Sequence, residues 1–224
     1  MEWTEDQGLA KRVLADIAGD LAEGQERYRE NMPHMSELIY CLTAKYYDRF
    51  RPLQPTQRES LLFLTGLRLE DAMLRPHKKA AKGEYEGIFW SADLLDHVEG
   101  LGELKTTRIS EKNLPDKMPS TWLRQMLGYM KANGVNEISL VALHLMGNYA
   151  PPFPTLKCWH GQATQDEIDE NWAWLQARKV IYLDHAERGV VPEQFVYNED
   201  WECDNCRYLI VCQANQSVKE LRGE

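Results

Sequence analysis

The sequence predicts a single mixed α/β domain, and three observations predict it. Segments with apolar residues at helical spacing alternate with segments of strand period, in the order helix, strands, helix, strand, helix. At 224 residues the chain is long enough for one substantial core and short for two full domains. No internal repeat or low-complexity tract divides it.

The elements follow in chain order. Glu5 to Arg29 reads as one or two helices, with Leu9, Val13, Ile17 and Leu21 at helical spacing, and Asn31-Met32-Pro33 ends them. Ser36 is the expected N-cap of a short helix carrying Leu38, Cys41, Leu42, Tyr46 and Tyr47. After the loop Arg51 to Pro55, Thr56-Gln57-Arg58-Glu59 is a capping-box pattern, because Thr and Glu three residues apart can satisfy each other's exposed N–H groups. It opens a helix expected over Gln57 to Leu74. From Tyr85 to Thr107 the period becomes that of strands. GIFWSADLL and GELKTT, separated by the turn-prone His97-Val98-Glu99-Gly100, predict a hairpin. Thr121 to Asn133 is a predicted helix stopped by Gly134. EISLVALHLM is a buried strand, Pro151 to Pro154 a turn, and TLKCWH another strand, with Cys158 expected inside. Thr164-Gln165-Asp166-Glu167 caps a last long helix that runs to about Glu187.

The overall charge of −9 argues against a nucleic-acid partner at first sight, but its distribution does not. Acids crowd the N-terminal segment and the stretch from Gln165 to Asp204. Basic residues gather in the middle: Arg75, Lys78, Lys79, Lys82, Lys105, Arg108, Lys112, Lys117, Arg124 and Lys131. These are either a phosphate-binding groove or scattered solvated side chains. No apolar run reaches the length of a membrane span, and MEWTEDQGLAKRVL has no signal-peptide core, so no membrane partner and a cytoplasmic location are expected.

Two constellations carry chemistry. On the GELKTT strand, Glu103 and Lys105 are two apart and leave the same face. A carboxylate holds a hard divalent ion, and a neighbouring ammonium can orient water or stabilise charge at phosphorus. Asp93 on the preceding strand can share the ion. Glu70, four residues after Gly66 on one helix face, is the third acid, and the glycine would let that helix approach the sheet. Gln125 and Tyr129, one turn apart, form a polar pair suited to a phosphate or to Lys105. Alone, an E-x-K triplet is a weak signal, and His77 and His97 have the character of surface or turn residues.

The second constellation is C-x2-C-x5-C at Cys203, Cys206 and Cys212, with Cys41 far upstream. In a chain expected to be intracellular, thiols are kept reduced and favour metal ligation over disulfides. Four thiolates suit either an iron–sulfur cluster or a structural zinc. Trp90, Trp122, Trp159, Trp172 and Trp174 can stack single-stranded bases, although their spacing is equally that of core residues.

The ordered set G-x-x-x-E, D, E-x-K and Q-x-x-x-Y resembles the PD-(D/E)XK nuclease superfamily in its RecB-like branch. With C-x2-C-x5-C and S-x-x-x-Y-C-x4-Y-Y, it resembles that branch's iron–sulfur members, the CRISPR-associated Cas-four nucleases and AddB-type helicase–nucleases. The likeness runs from Ser36 to Cys212. It implies a restriction-endonuclease-like core, a mixed central sheet flanked by helices, over residues 56–200. A helical cap over 1–55 and a tail over 201–224 would be joined by a 4Fe–4S cluster on Cys41, Cys203, Cys206 and Cys212. It implies Mg²⁺ or Mn²⁺ on Glu70, Asp93 and Glu103, with Lys105 catalytic and Gln125 and Tyr129 in support. Many RecB-like members carry His where this chain has Glu70. The implied activity is a DNA exonuclease on single strands or frayed ends, in spacer acquisition with antiviral defence or in recombination and repair. With no helicase motif in the chain, a helicase or integrase-complex partner would do any unwinding. From another class, the alternative is a non-catalytic iron–sulfur or zinc subunit for DNA binding or assembly.

Overall fold

In this computed structural model, residues 32–74, 81–93, 100–151, 153–193, 201–204 and 206–222 are described. The helices expected between Glu5 and Arg29 lie outside them, as do Arg75, His77, Lys78, Lys79 and His97. A short helix α1 (Met35–Leu38) leads into α2 (Leu42–Phe50) and then α3 (Gln57–Leu74). Strands β1 (Ala81–Tyr85), β2 (Ile88–Ala92) and β3 (Gly102–Thr107) come next. After them run α4 (Ser120–Asn133), β4 (Glu137–His144), β5 (Thr155–Gln162), the long α5 (Gln165–Arg188), the short α6 (Trp201–Asp204) and α7 (Leu209–Arg222). The architecture is α/β, with a three-stranded mixed sheet, ordered β3-β4-β5, flanked by helices. β3 runs parallel to β4 through the α4 crossover, and β5 returns antiparallel.

The expected hairpin is replaced by a different one. β1 pairs with β2 around Glu86-Gly87, where both residues have positive φ (45° and 77°), the geometry of a tight hairpin turn. A Glu in the first of those positions is an unusual turn residue, so the turn left no signal in the sequence. β2 meets β3 only at the bridge between Asp93 and Gly102. The expected N-cap also moves: His34, not Ser36, caps α1, its Nδ1 accepting the Ser36 N–H at 3.1 Å while Glu37 accepts the His34 N–H at 2.7 Å.

The long α5 begins at the predicted capping box, with the Thr164 and Glu167 side chains each accepting the other's N–H. Its buried residues Ile168, Trp172, Leu175 and Tyr182 recur at three- to seven-residue intervals and form one stripe packed on α4 and α1. Gly128 is where α4 comes close. A Cβ there would lie 2.5 Å from the Met35 sulfur and 3.1 Å from Leu175 Cδ1. The close approach expected at Gly66 is not seen: a Cβ at that position meets nothing within 4 Å among the described residues. Cys158, expected inside, is exposed, because β5 is an edge strand with most of both faces uncovered. β4, central in the sheet, holds the buried Ile138, Leu140, Val141 and Ala142.

Candidate active site

Glu103 and Lys105 lie on β3 and form a direct ion pair, as their two-residue spacing on a strand requires. Glu103 is only 4% exposed, so this carboxylate is taken out of water next to its counter-charge. Asp93 continues from β2 onto the other edge of β3, where its Oδ2 accepts the Leu104 N–H at 2.8 Å. Leu104 itself turns its side chain into the core. From α4, the Gln125 Oε1 accepts a hydrogen bond from Lys105 Nζ at 2.7 Å, and Gln125 Nε2 donates to the Tyr129 hydroxyl at 2.7 Å. Tyr129 is fully buried and packs against Trp90 at 6.2 Å between ring centroids. Of the two partners the sequence left open for this pair, the structure shows the Lys105 contact. A buried tyrosine holds a glutamine, and the glutamine aims the ammonium.

Electrostatics set the protonation states. Burial works against the Lys105 ammonium, but Glu103, with Tyr40 and Asp93, overrides it and raises the lysine's pKa. Lys105 is therefore cationic across the neutral range. Burial raises the Asp93 pKa, against the opposing pull of the Leu104 N–H and Lys105. Glu70 lies on α3, which runs against β3, but its side chain falls outside the described residues. Among the described residues no three His, Cys, Asp or Glu side chains are arranged to hold a metal ion. On this face the described carboxylates are Asp93 and Glu103.

The four cysteines come together elsewhere. Cys41, Cys203, Cys206 and Cys212 line one cavity of about 40 Å³, along with Thr43, Glu202 and Tyr208. Burial first, then the neighbouring thiols, raise the pKa of Cys212. Cys206 is raised by burial and by the other thiols despite the Tyr208 N–H. The segments around Cys41 and around Cys203–Cys212 are tied together beside the cavity. Glu202 accepts the Cys41 N–H at 2.6 Å, and Arg207 and the Tyr208 hydroxyl reach Asp48 Oδ1 at 2.5 and 2.8 Å. Tyr208 also stacks on Tyr47, with centroids 5.1 Å apart. Arg178, buried on α5, donates to the carbonyls of Leu38 and Tyr40 and so holds the peptide just before Cys41. Nothing local marks Arg178 or Glu202 in the sequence, since their partners lie well over a hundred residues away.

The expected basic groove is thinner than its residue list. Arg124 lies on the Trp174 ring at 3.9 Å and exchanges hydrogen bonds with Asn171, and Lys131 pairs with Asp169 at 2.6 Å. Both serve the α4–α5 interface. Lys82, Arg108, Lys112 and Lys117 are exposed. Of the tryptophans, Trp90 and Trp172 are core residues, while Trp122, Trp159 and Trp174 are partly buried.

No protein-family model matches the chain, and no curated protein sequence does. Among solved structures, the crystal structure of SSO0001 is similar with a TM-score of 0.52 and 17% identity, covering 91% of this chain and 95% of that one. Lower scores relate it to LHK-Exo in complex with dAMP (TM-score 0.47, 14% identity, 71% and 93% covered). The score is lower again for a phage-related exonuclease from Haemophilus somnus 129PT (0.43, 12% identity, 70% and 96% covered). The chain therefore has the fold of SSO0001 along nearly the whole length of both.

Proposed function

We propose that this protein is a metal-dependent nuclease of the PD-(D/E)XK superfamily that hydrolyses DNA phosphodiester bonds, working inward from single-stranded or frayed ends. The observation that carries the reading is Lys105, suspended between Glu103 and the Gln125–Tyr129 relay with Asp93 alongside. A structural ion pair needs no glutamine to aim its ammonium at an open face.

Glu103 on β3 and Asp93 beside it are oxygen donors that fit Mg²⁺ or Mn²⁺, with Glu70 as the third donor. When bound, the ion supplies charge stabilisation at the phosphate and lowers the pKa of water. The chain's own residues do the rest. Two carboxylates, one of them buried, beside one ammonium leave the site with excess negative charge when both are ionised, which favours a divalent cation. Lys105 remains an ammonium, so it acts as a donor that orients the attacking water and stabilises charge on a non-bridging phosphate oxygen. Water attacks phosphorus in line and gives its proton to solvent, while the bond to the 3′ oxygen breaks and that oxygen takes a proton from solvent, leaving a 3′ hydroxyl and a 5′ phosphate.

The four cysteines fit a 4Fe–4S cluster, held by Cys41, Cys203, Cys206 and Cys212. Burial, and then the neighbouring thiols, favour the protonated form of Cys206 and Cys212, so a cationic centre is what would draw them into the thiolate form as ligands. A single zinc ion holds sulfurs at about 2.3 Å and so brings them within about 4 Å of one another. The support for a shared centre is that all four cysteines line one cavity. With all four ligands from protein, its role is to cross-link the chain ends. Spacer acquisition and recombination or repair are the settings this activity suits, with a helicase or integrase complex as partner.

The test uses protein purified anaerobically and end-labelled single- and double-stranded DNA. Cleavage with Mn²⁺ that stops in EDTA is expected, with about four irons per chain. DNA binding without cleavage under any divalent ion would replace the nuclease with a binding or assembly subunit. Zinc without iron would reject the cluster and leave the nuclease reading intact.

A further inference from the structure

Beside Lys105 lies a cavity of about 560 Å³, lined by Tyr40, Ile109, Lys117, Ser120, Thr121 and Trp122 among others. Its volume is in the range that takes a small organic ligand. It neighbours the proposed centre through Trp122, whose ring lies 5.9 Å from Lys105 Nζ and which sits about one turn before Gln125 on α4. Two aromatic rings line it from different parts of the chain, Tyr40 between α1 and α2 and Trp122 on α4. Each packs partly against the core and is only partly buried, so each keeps exposed surface on the cavity side. The exposed Lys117 adds a cation on the same wall, and Pro119 contributes no capping side chain to the start of α4.

These features match a nucleotide: flat apolar surfaces for a base, a cation for a phosphate, and a reacting centre within one nucleotide's reach. Base stacking on aromatic rings tolerates any sequence, since every base has a π face. We propose that this cavity seats one unpaired nucleotide next to the bond that is cut, its base against Trp122 and Tyr40 and a flanking phosphate on Lys117. This rests on the nuclease reading and deepens it, because a seat for an unpaired base selects single strands and frayed ends over intact duplex. Tyr40 is held through its carbonyl by Arg178 and is followed directly by Cys41. One wall of the seat is therefore anchored by the same peptide that lines the thiol cavity.

The test measures binding of single strands carrying 2-aminopurine, in EDTA so that nothing is cut, with a second series carrying an abasic site at the same position. Wild type should quench the probe strongly at one position near an end and bind the matching abasic strand about 5- to 150-fold more weakly, the span of one stacked base. Trp122→Ala should lose the quench and bind both strands alike, and Trp122→Phe should restore most of the difference. That pattern supports the seat and excludes a merely structural tryptophan, which would weaken both strands equally. Equal weakening of both strands, or an unchanged quench in Trp122→Ala, overturns the proposal. Cleavage is measured separately with Mn²⁺. Normal cleavage without the abasic difference removes the seat alone, whereas the abasic difference without cleavage removes the nuclease reading.

Discussion

Lys105 and the four cysteine thiols are both gathered from distant parts of the chain, yet the protein treats them differently. Lys105 reaches its place on a sheet strand and finds opposite charge and a hydrogen-bond acceptor waiting, in Glu103 and Gln125. The thiols arrive from the two ends of the chain and meet like groups, so their ionised forms repel one another in a buried cavity. The first site is assembled from opposite charges and hydrogen bonds within the protein. The second is held in place by Glu202, Arg178 and the Asp48 cluster, which bring the four thiols to one cavity. The strand and helix around Lys105 satisfy its charge and hydrogen bonds, whereas the segments that carry the cysteines bring like groups together.

The largest effect that bears on this contrast is expected from Lys105→Ala. Cleavage should fall about 10²–10³-fold, the usual consequence of removing one donor to a charged transition state. In EDTA the variant should also lose ~3 kcal/mol of stability, because the buried Glu103 is left without its partner. Mn²⁺ should restore that stability but not the activity. Thermal melts with and without the ion read both effects, and full activity in the variant would remove Lys105 from the mechanism.

Cys206→Ala should bleach the protein and destabilise it by ~3 kcal/mol or more, a fall of about 6–12 °C in Tm for a domain of this size. The exposed Cys158 supplies the control, and Cys158→Ala should keep colour, iron and Tm. If both variants behaved alike, the thiol cavity would not be a binding site.

Asp93→Asn separates the metal's contribution from the fold's. The folded-state pKa of Asp93 is raised, so the wild type is favoured where Asp93 is protonated and loses stability as pH rises through that value. Without metal, the wild type should therefore fall behind Asp93→Asn as pH increases. A divalent ion at about a hundredfold excess over its Kd should return roughly 2.7 kcal/mol to the wild type and much less to the variant. A metal-induced rise in Tm that was the same at all pH values, or equal in both proteins, would place the ion elsewhere.

The smallest effect is expected from Asp48→Asn, which loosens the protein-made part of the join between the chain ends. Burial opposes ionisation of Asp48, but Lys45 and Arg207 prevail and hold its carboxyl below the ordinary range. Its contribution is present above the unfolded pKa, about 4, and is lost as pH falls through the lower folded value. The variant should be about 1.5–3 kcal/mol less stable at neutral pH, the range for hydrogen bonds to a charged group, with the gap closing in acid. Urea melts at neutral and acid pH measure it. A constant gap would mean that Asp48 acts by packing.

Much of the candidate site was legible because it follows from local periodicity. A period of two puts Glu103 and Lys105 on one face, a helical turn puts Gln125 beside Tyr129, and the capping box at Thr164 starts α5 where expected. The close run from Cys203 to Cys212 makes a shared cavity for those three almost unavoidable. Such features depend only on residues a few positions apart, which the backbone geometry holds together wherever the element lies. Tertiary structure alone decided what each face meets. It turned the expected hairpin into β1–β2 and left Asp93 to bridge β3. It spent Arg124 on Trp174, left Cys158 exposed on an edge strand, and put the close helix approach at Gly128 instead of Gly66. Those outcomes depend on pairings and burial between residues far apart in the chain, and short-range spacing carries no information about a partner on another element.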